Sequence, residues 1–356
     1  MTIVPVLMAG GAGTRLWPLS RDDCPKPFLT LGGAKTLIQA TADRVAGEQG
    51  DVSFGRPVVI VGEQHVQLAV DQLRGHELGI IVVEPVGRNT AACAAVAAEI
   101  IAQDDPNALV LLLPTDHEVG DENAFRVAVA EAAHAARAGE LVVFGVRPTR
   151  PETGYGYVLA GENIGASMRV VERFVEKPDA RTAEAYLTDG RYFWNAGILL
   201  ARPDKLLLEL DRYRPDILAG ARTALSRAKL RDGALHLDPS LFAACPAESL
   251  DYAVLEQTRC AALILVDMGW SDLGGFDAIY EISSKDAQGN AGDTAMLIDV
   301  NNTLVRTDGY AVAAVGVSDL TIIVHNGVVL VSARNRAEDV ARLSAEFRSG
   351  GMKQAN

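Results

Sequence analysis

Ile3-Val4-Pro5-Val6-Leu7-Met8-Ala9-Gly10-Gly11-Ala12-Gly13-Thr14-Arg15-Leu16 begins as an apolar run and empties into a glycine loop. Pro25-Lys26-Pro27 follows shortly after. A buried strand that stops abruptly in glycines lets backbone N–H groups crowd against a ligand, as phosphate-binding loops require. Arg15 and Lys26 close behind it point to a polyanion, and a nucleoside triphosphate fits best. Gly11-x-Gly13-x-x-Leu16 approaches the dinucleotide fingerprint, but its third position is Leu. No Gly-Lys-Ser/Thr follows, so it is not a Walker loop either. The flanking prolines fix the Lys26 backbone and pre-position its side chain.

Outward from this loop, strand-like and helix-like segments alternate through the first 145 residues. Ile3–Met8, Pro57–Val61, Gly79–Glu84, Ala108–Leu113 and Leu141–Val146 read as strands. Continuous apolar runs of this length suit a sheet covered on both faces. Helical patterns over Thr36–Gly47, Glu63–Arg74, Asn89–Ala102 and Asn123–Ala138 separate them. The βαβ repeat predicts a doubly wound parallel sheet with right-handed crossovers as the α/β core. After Arg147 a long loop leads to strands at Met168–Val175 and Ala261–Asp267, with helical segments over 179–188, 203–213 and 249–258. From about residue 290, short Val- and Ile-rich strands with Gly and Asn turns predict a small β appendix. A closing helix over Arg336–Phe347 and a frayed polar tail from Ser349 complete the reading. Domains of 1–288 and 289–356 follow.

The bulk numbers narrow the function. A hydrophobic content of 49% and a charged content of 22% describe an ordinary globular chain. A net charge of −13 and an aromatic share of 6% argue against nucleic acid as a partner. No apolar run reaches the ~20 residues that span a bilayer. The four cysteines are scattered without metal-ligand spacing, and no signal peptide precedes the first strand, so a cytoplasmic protein with reduced thiols is expected.

Several constellations could carry chemistry. In Leu113-Pro114-Thr115-Asp116-His117 a carboxylate follows a buried strand; it either caps the next turn or binds Mg²⁺, which favours one or two carboxylates plus substrate phosphates. Asp272 in Gly269-Trp270-Ser271-Asp272 stands in the same relation to another strand; either Asp alone reads as structural, while the two together point to a shared metal site. Glu176-Lys177 is either a solvated ion pair or a pairing of sugar hydroxyls with Glu176 and of a second phosphate with Lys177. Asn195 lies beside Phe193 and Trp194, a composition met in sugar recognition and equally in cores. Glu84-Pro85-Val86-Gly87-Arg88-Asn89-Thr90 ends a strand and opens the Ala-rich helix, with Asn89 as its N-cap and a loop placed to read a base.

In order along the chain, GGAGTRLWPLSR, EPVGRNTAA, LPTDH, RPETGYGYV, FVEKPD, WNAGI, SLDYAVLE and GWSDLGG closely resemble the mannose-1-phosphate guanylyltransferases, over residues 1 to about 345. The resemblance implies a Rossmann-like nucleotidyltransferase domain with a mixed, mostly parallel sheet and a small C-terminal β domain, a truncated left-handed β-helix. It implies GTP and mannose 1-phosphate as substrates and Mg²⁺ as cofactor. The appended C-terminal β domain offers a contact through which a homodimer could form. Arg15, Lys26 and Asp116 would be catalytic, and Asp116 with Asp272 would hold Mg²⁺. Leu7, Ala9, Gly10, Gly11, Gly13, Thr14, Glu84, Pro85, Gly87, Asn89 and Thr90 would bind the nucleotide. Gly156, Glu176, Lys177 and Asn195 would bind the sugar phosphate. Pro27 departs from the family's usual Gln, and Gly275-Phe276 from its frequent Ser-Trp. The chain ends before the isomerase domain many relatives carry, so no isomerase activity is expected. Another sugar-1-phosphate nucleotidyltransferase and a non-catalytic regulatory subunit are the alternatives; the second should have lost charged residues that are all present here.

Overall fold

A computed structural model describes residues 1–11 and 13–347. Two compact units emerge among the described residues: Met1–Gly10 with Ile38–Thr115 and Val119–Trp270, and Gly11–Leu37 with Asp116–Glu118 and the stretch from Ser271 to Phe347.

The first unit is built on a 13-stranded mixed sheet. Thr2–Ala9 sits inside it, parallel to Val58–Gly62 on one side and Leu109–Pro114 on the other. A proline in an interior strand normally breaks a ladder. Pro5 falls where one neighbour, Val52–Phe54, paired as far as Ile3, gives way to the next, paired from Val6. Ile80–Glu84 and then Ala234–His236 extend the parallel run. The doubly wound pattern therefore holds as far as Leu109–Pro114. Beyond it, Tyr192–Ala201 inserts antiparallel between Leu109–Pro114 and Leu141–Val146. Ala261–Leu265 runs parallel to Leu141–Val146, and Met168–Val175 and Tyr157–Asn163 complete the edge antiparallel. The sheet is mixed, in agreement with the family resemblance and not with the purely parallel pattern.

The helix Asn89–Asp104 buries Ala91, Ala92, Ala94, Ala95, Ala97 and Ala98. Methyl-sized side chains let its backbone lie close to its neighbours, and an added methylene there would overpack the site at about 1–3 kcal/mol. The helix Glu122–Ala138 starts where Asp121 accepts the Ala124 N–H (2.8 Å) and ends at Gly139, whose φ of 114° suits only glycine. All four cysteines are free thiols.

The second unit has its own core: Leu16, Leu31, Leu37, Leu273, Phe276, Ile279, Leu304, Ile323, Leu330 and Val340. Leu16, the residue that breaks the dinucleotide fingerprint, is 1% exposed and anchors the glycine loop in this core. The C-terminal strands stack as parallel rungs, Ala291–Gly292 on Leu304–Thr307 on Leu320–His325, and Met296–Ile298 on Ala313–Val315. This is a β-helix-like arrangement. It closes in an antiparallel hairpin across Asn326-Gly327, both at positive φ as a tight primed turn requires. The closing helix is Ala337–Glu346, and the tail expected to fray from Ser349 lies outside the described residues.

Candidate active site

In the second unit the glycine loop turns into a short 3₁₀ helix, Thr14–Leu16, directly after Gly13 at φ 59°. Pro25 leads into a second one, Lys26–Phe28, in which Lys26 is only 6% exposed. The Lys26 ammonium donates to Asp116 Oδ2 at 3.2 Å and to the main-chain carbonyl of Asp272. One cation thus ties together the two carboxylate-bearing segments singled out in the sequence. Asp116 does not cap a turn here. Burial pushes its carboxyl upward, but Lys26 and His117 beside it outweigh that and hold it below the usual carboxylate range. His117 Nε2 stands 3.7 Å from Asp116 Oδ1. Asp272 Oδ1 accepts the Gly274 N–H at 3.0 Å, which fixes its rotamer. Gly11 runs close to the Asp116 carboxylate, since a Cβ there would lie 3.7 Å from Oδ2. Arg15 pairs instead with Glu338 at 3.3 Å in an exposed ion pair.

Leu7, Ala9 and Gly10 belong to the first unit, at the end of its strand Thr2–Ala9. Glu84 ends the strand Ile80–Glu84 in the same unit. Its Oε1 is buried without a hydrogen-bond partner, and burial raises its carboxyl to about 7. Pro85 and Gly87 lie in the loop that follows. Asn89 differs from its expected place: Arg88 is the N-cap, and Asn89 is the first helical residue at φ 62°, its Oδ1 accepting the Thr90 N–H at 3.0 Å. Asn tolerates this left-handed conformation better than most residues. Thr90 Oγ1 in turn accepts the Leu250 N–H at 2.8 Å.

The first unit also gathers Gly156, Glu176, Lys177 and Asn195. The Asn195 N–H donates to the Gly156 carbonyl at 2.8 Å, and a Cβ on Gly156 would lie 2.5 Å from Glu176 Oε2 and 3.4 Å from Asn195 Cβ. Lys177, at φ 47°, brings its ammonium to 3.2 Å from Glu176 Oε1 while staying mostly exposed. Burial, then the neighbouring Asp251, raise the Glu176 carboxyl to about 7, partly offset by Lys177. Trp194 serves the core, packed with Tyr157, Ala183 and Tyr192.

Two further acids meet this cluster. Asp251 Oδ1 accepts from Asn195 Nδ2 at 2.9 Å, and Glu256 Oε1 accepts the Glu176 N–H at 2.8 Å. Both lie in Ser249-Leu250-Asp251-Tyr252-Ala253-Val254-Leu255-Glu256. The segment is visible in the sequence as part of the family resemblance but carries no residue-level signal of its own. Among the described residues, no group of three or more His, Cys, Asp or Glu is placed to hold a metal by itself, and no helix is long and apolar enough to cross a membrane.

Comparison with known proteins gives these sites a context. Residues 4–289 match a nucleotidyl transferase family model, and residues 293–345 match a mannose-phosphate isomerase/GMP-like β-helix domain. The chain is 42% identical to the mannose-1-phosphate guanylyltransferase of Escherichia coli K12, covering 99% of this chain and 75% of that protein. It is 41% identical to the xanthan biosynthesis protein XanB of Xanthomonas campestris pv. campestris strain B100, with the same coverage. A crystal structure from Thermus thermophilus, described as a mannose-1-phosphate geranyltransferase, superposes with a TM-score of 0.87 at 33% identity, covering 98% of this chain and all of that one.

Proposed function

This chain belongs to the mannose-1-phosphate guanylyltransferases, a nucleotidyl transferase family, and we propose that it transfers GMP from GTP to α-D-mannose 1-phosphate, giving GDP-mannose and pyrophosphate. The observation that carries the reading is the Lys26 ammonium set against both the Asp116 carboxylate and the Asp272 carbonyl, at the foot of a glycine loop. Two carboxylates completed by substrate phosphates are what Mg²⁺ favours. Lys26 shows that the Asp116 carboxylate and the Asp272 main-chain oxygen accept a cation between them; Asp116 with the Asp272 carboxylate would hold the ion. Mg²⁺ bound there would neutralise charge on the reacting phosphates.

The sugar phosphate needs no general base. Its second pKa is about 6, so near neutral pH its oxygen is already ionised for in-line attack on the α-phosphorus. Catalysis then reduces to positioning and to charge compensation. Lys26 and Arg15 would meet the triphosphate, with backbone N–H groups of Gly10, Gly11, Gly13 and Thr14 around it. Arg15 would leave Glu338 for this, a modest loss because exposed ion pairs contribute about 0–1 kcal/mol. The unpartnered Glu84 oxygen offers an acceptor to the donor edge of guanine, beside Pro85, Gly87, Asn89 and Thr90. Glu176 and Asn195 would bind mannose and Lys177 its phosphate, with Gly156 lining the pocket. Residues 1–288 would be the catalytic domain, in the cytoplasm, and 289–356 a dimerising β domain. Exposed Met296, Ile298 and Val315 on the latter support that contact.

Two predictions arise at the sugar pocket. Glu176 accepts hydrogen bonds as a carboxylate and is half protonated at about 7. The KM for mannose 1-phosphate should therefore rise as pH falls from about 8 to about 6. Glu176→Gln should remove that step and leave only the substrate's own titration near 6. An unchanged profile in the variant would assign the step elsewhere. Gly156→Ala drives a methyl against Glu176 Oε2, so the KM for mannose 1-phosphate should rise at least about tenfold while the KM for GTP moves little. Steady-state titration of each substrate reads both.

GTP chirally labelled with sulfur at the α-phosphate tests the proposed transfer. GDP-mannose with inverted configuration is expected. Retention would indicate a covalent guanylyl-enzyme, and absence of GDP-mannose would overturn the reading.

A further inference from the structure

Leu250–Glu256 is not a regular helix: Asp251–Leu255 forms a π turn, closed by the Glu256 N–H donating to the Asp251 carbonyl at 2.9 Å. On an α-helix, about 100° per residue would leave side chains five apart about 140° out of line. The wider turn brings Asp251 and Glu256 to one side, where they hold Asn195 Nδ2 (2.9 Å) and the Glu176 N–H (2.8 Å). The same segment is tied to the helix that opens after the base-side loop, since Leu250 donates to Thr90 Oγ1 and the Ala91 N–H donates to the Glu248 carbonyl at 3.1 Å. Ala253, Val254 and Leu255 within the turn are buried and lock its place.

We infer that this π turn sets the geometry of the sugar pocket, and that Asp251 is the positioning residue that holds the Asn195 amide in a single orientation there. An amide can face either way with little steric difference. By accepting from Nδ2, Asp251 fixes which end of the amide faces it, and Asn195 Oδ1 accepts the Gly197 N–H at 3.2 Å. Both polar atoms of Asn195 are thereby fixed before a ligand arrives. Irregular turns of this kind recur at functional sites because they re-aim side chains that a regular helix would scatter. The inference rests on the proposed role of Asn195 in binding the sugar.

Asp251→Ala and Asp251→Asn separate positioning from packing. Asparagine retains an oxygen that can accept from Asn195 Nδ2; alanine does not. With wild-type enzyme first shown to be active, Asp251→Ala should raise the KM for mannose 1-phosphate at least tenfold and leave the KM for GTP within about threefold. Asp251→Asn should restore most of the loss. Glu256→Ala, which releases the Glu176 N–H, should repeat the sugar-specific KM effect more weakly. Equal changes in both KM values, or an Asp251→Asn enzyme as impaired as Asp251→Ala, would overturn the assignment. If the wild type uses a different sugar phosphate, the same split is read with that substrate, so failure of the sugar assignment and failure of the positioning role remain distinct. Should Asp251→Ala not fold, Glu256→Ala and Asp251→Asn decide: wild-type KM values for the sugar phosphate in Glu256→Ala would overturn the role of the turn.

Discussion

Asp116→Asn should lower turnover at least about 100-fold while the protein stays folded. The substitution keeps the side chain's shape and an oxygen that can accept from Lys26, but it removes the negative charge that faces that ammonium at 3.2 Å. Losing one fixed charge-stabilising group at a reacting centre typically costs about 10²–10³ in kcat. A weakened hydrogen bond to a buried cation costs about 1–3 kcal/mol in stability, against the ~5–15 kcal/mol that holds a native protein together. Asp116 is held below the usual carboxylate range, so its stabilising contribution is present above the pKa of the unfolded chain. That contribution is lost only as pH falls through the lower folded value. Across the neutral range the wild type therefore keeps this carboxylate ionised, and no pH change there imitates the variant. Turnover and circular-dichroism melting measured together separate the two effects. Turnover within tenfold of wild type would remove Asp116 from the site.

Gly13→Ala should be as damaging to activity and more costly to the fold. Gly13 holds a φ of 59°, which costs an L-residue about 1–2 kcal/mol. Its added Cβ would lie 2.6 Å from Lys26 Cβ and 3.0 Å from Ser20 Oγ. Lys26 Cβ is the rooted end of its side chain, fixed in a proline-flanked 3₁₀ turn, so it cannot swing aside. The loop or Lys26 must move, and either displaces the ammonium from Asp116. A loss of about 100-fold or more in turnover and a clear drop in Tm are expected. Gly33→Ala serves as the control, since nothing lies within 4 Å of its Cβ position and its φ is not left-handed. Equal behaviour of the two variants would mean that the close approach at Gly13 is unimportant.

The glycine loop that holds these residues was legible in the sequence because its signal is local: apolar run, glycines, nearby cations. The parallel half of the sheet was equally legible from continuous apolar strands between helical patterns. Tyr192–Ala201 was not, because nothing in Tyr-Phe-Trp-Asn-Ala-Gly-Ile-Leu-Leu-Ala announces that it will insert antiparallel between two strands already separated by a helix. Leu16 read as a missing glycine and proved a core anchor, a role set by Phe276 and Leu304 far along the chain. Asn89 read as an N-cap and fell one residue inside the helix. Asp251 and Glu256 gave no sign of acting together, because helical periodicity places residues five apart on different faces and only the π turn reunites them.

Pyrophosphate release by the purified protein, with Mg²⁺, each of the four NTPs and a panel of sugar 1-phosphates, probes the guanylyl transfer itself. Release should be strongest with GTP and mannose 1-phosphate, matched mole for mole by GDP-mannose. No release from that pair, with turnover of another pair in its place, would refute the proposed reaction.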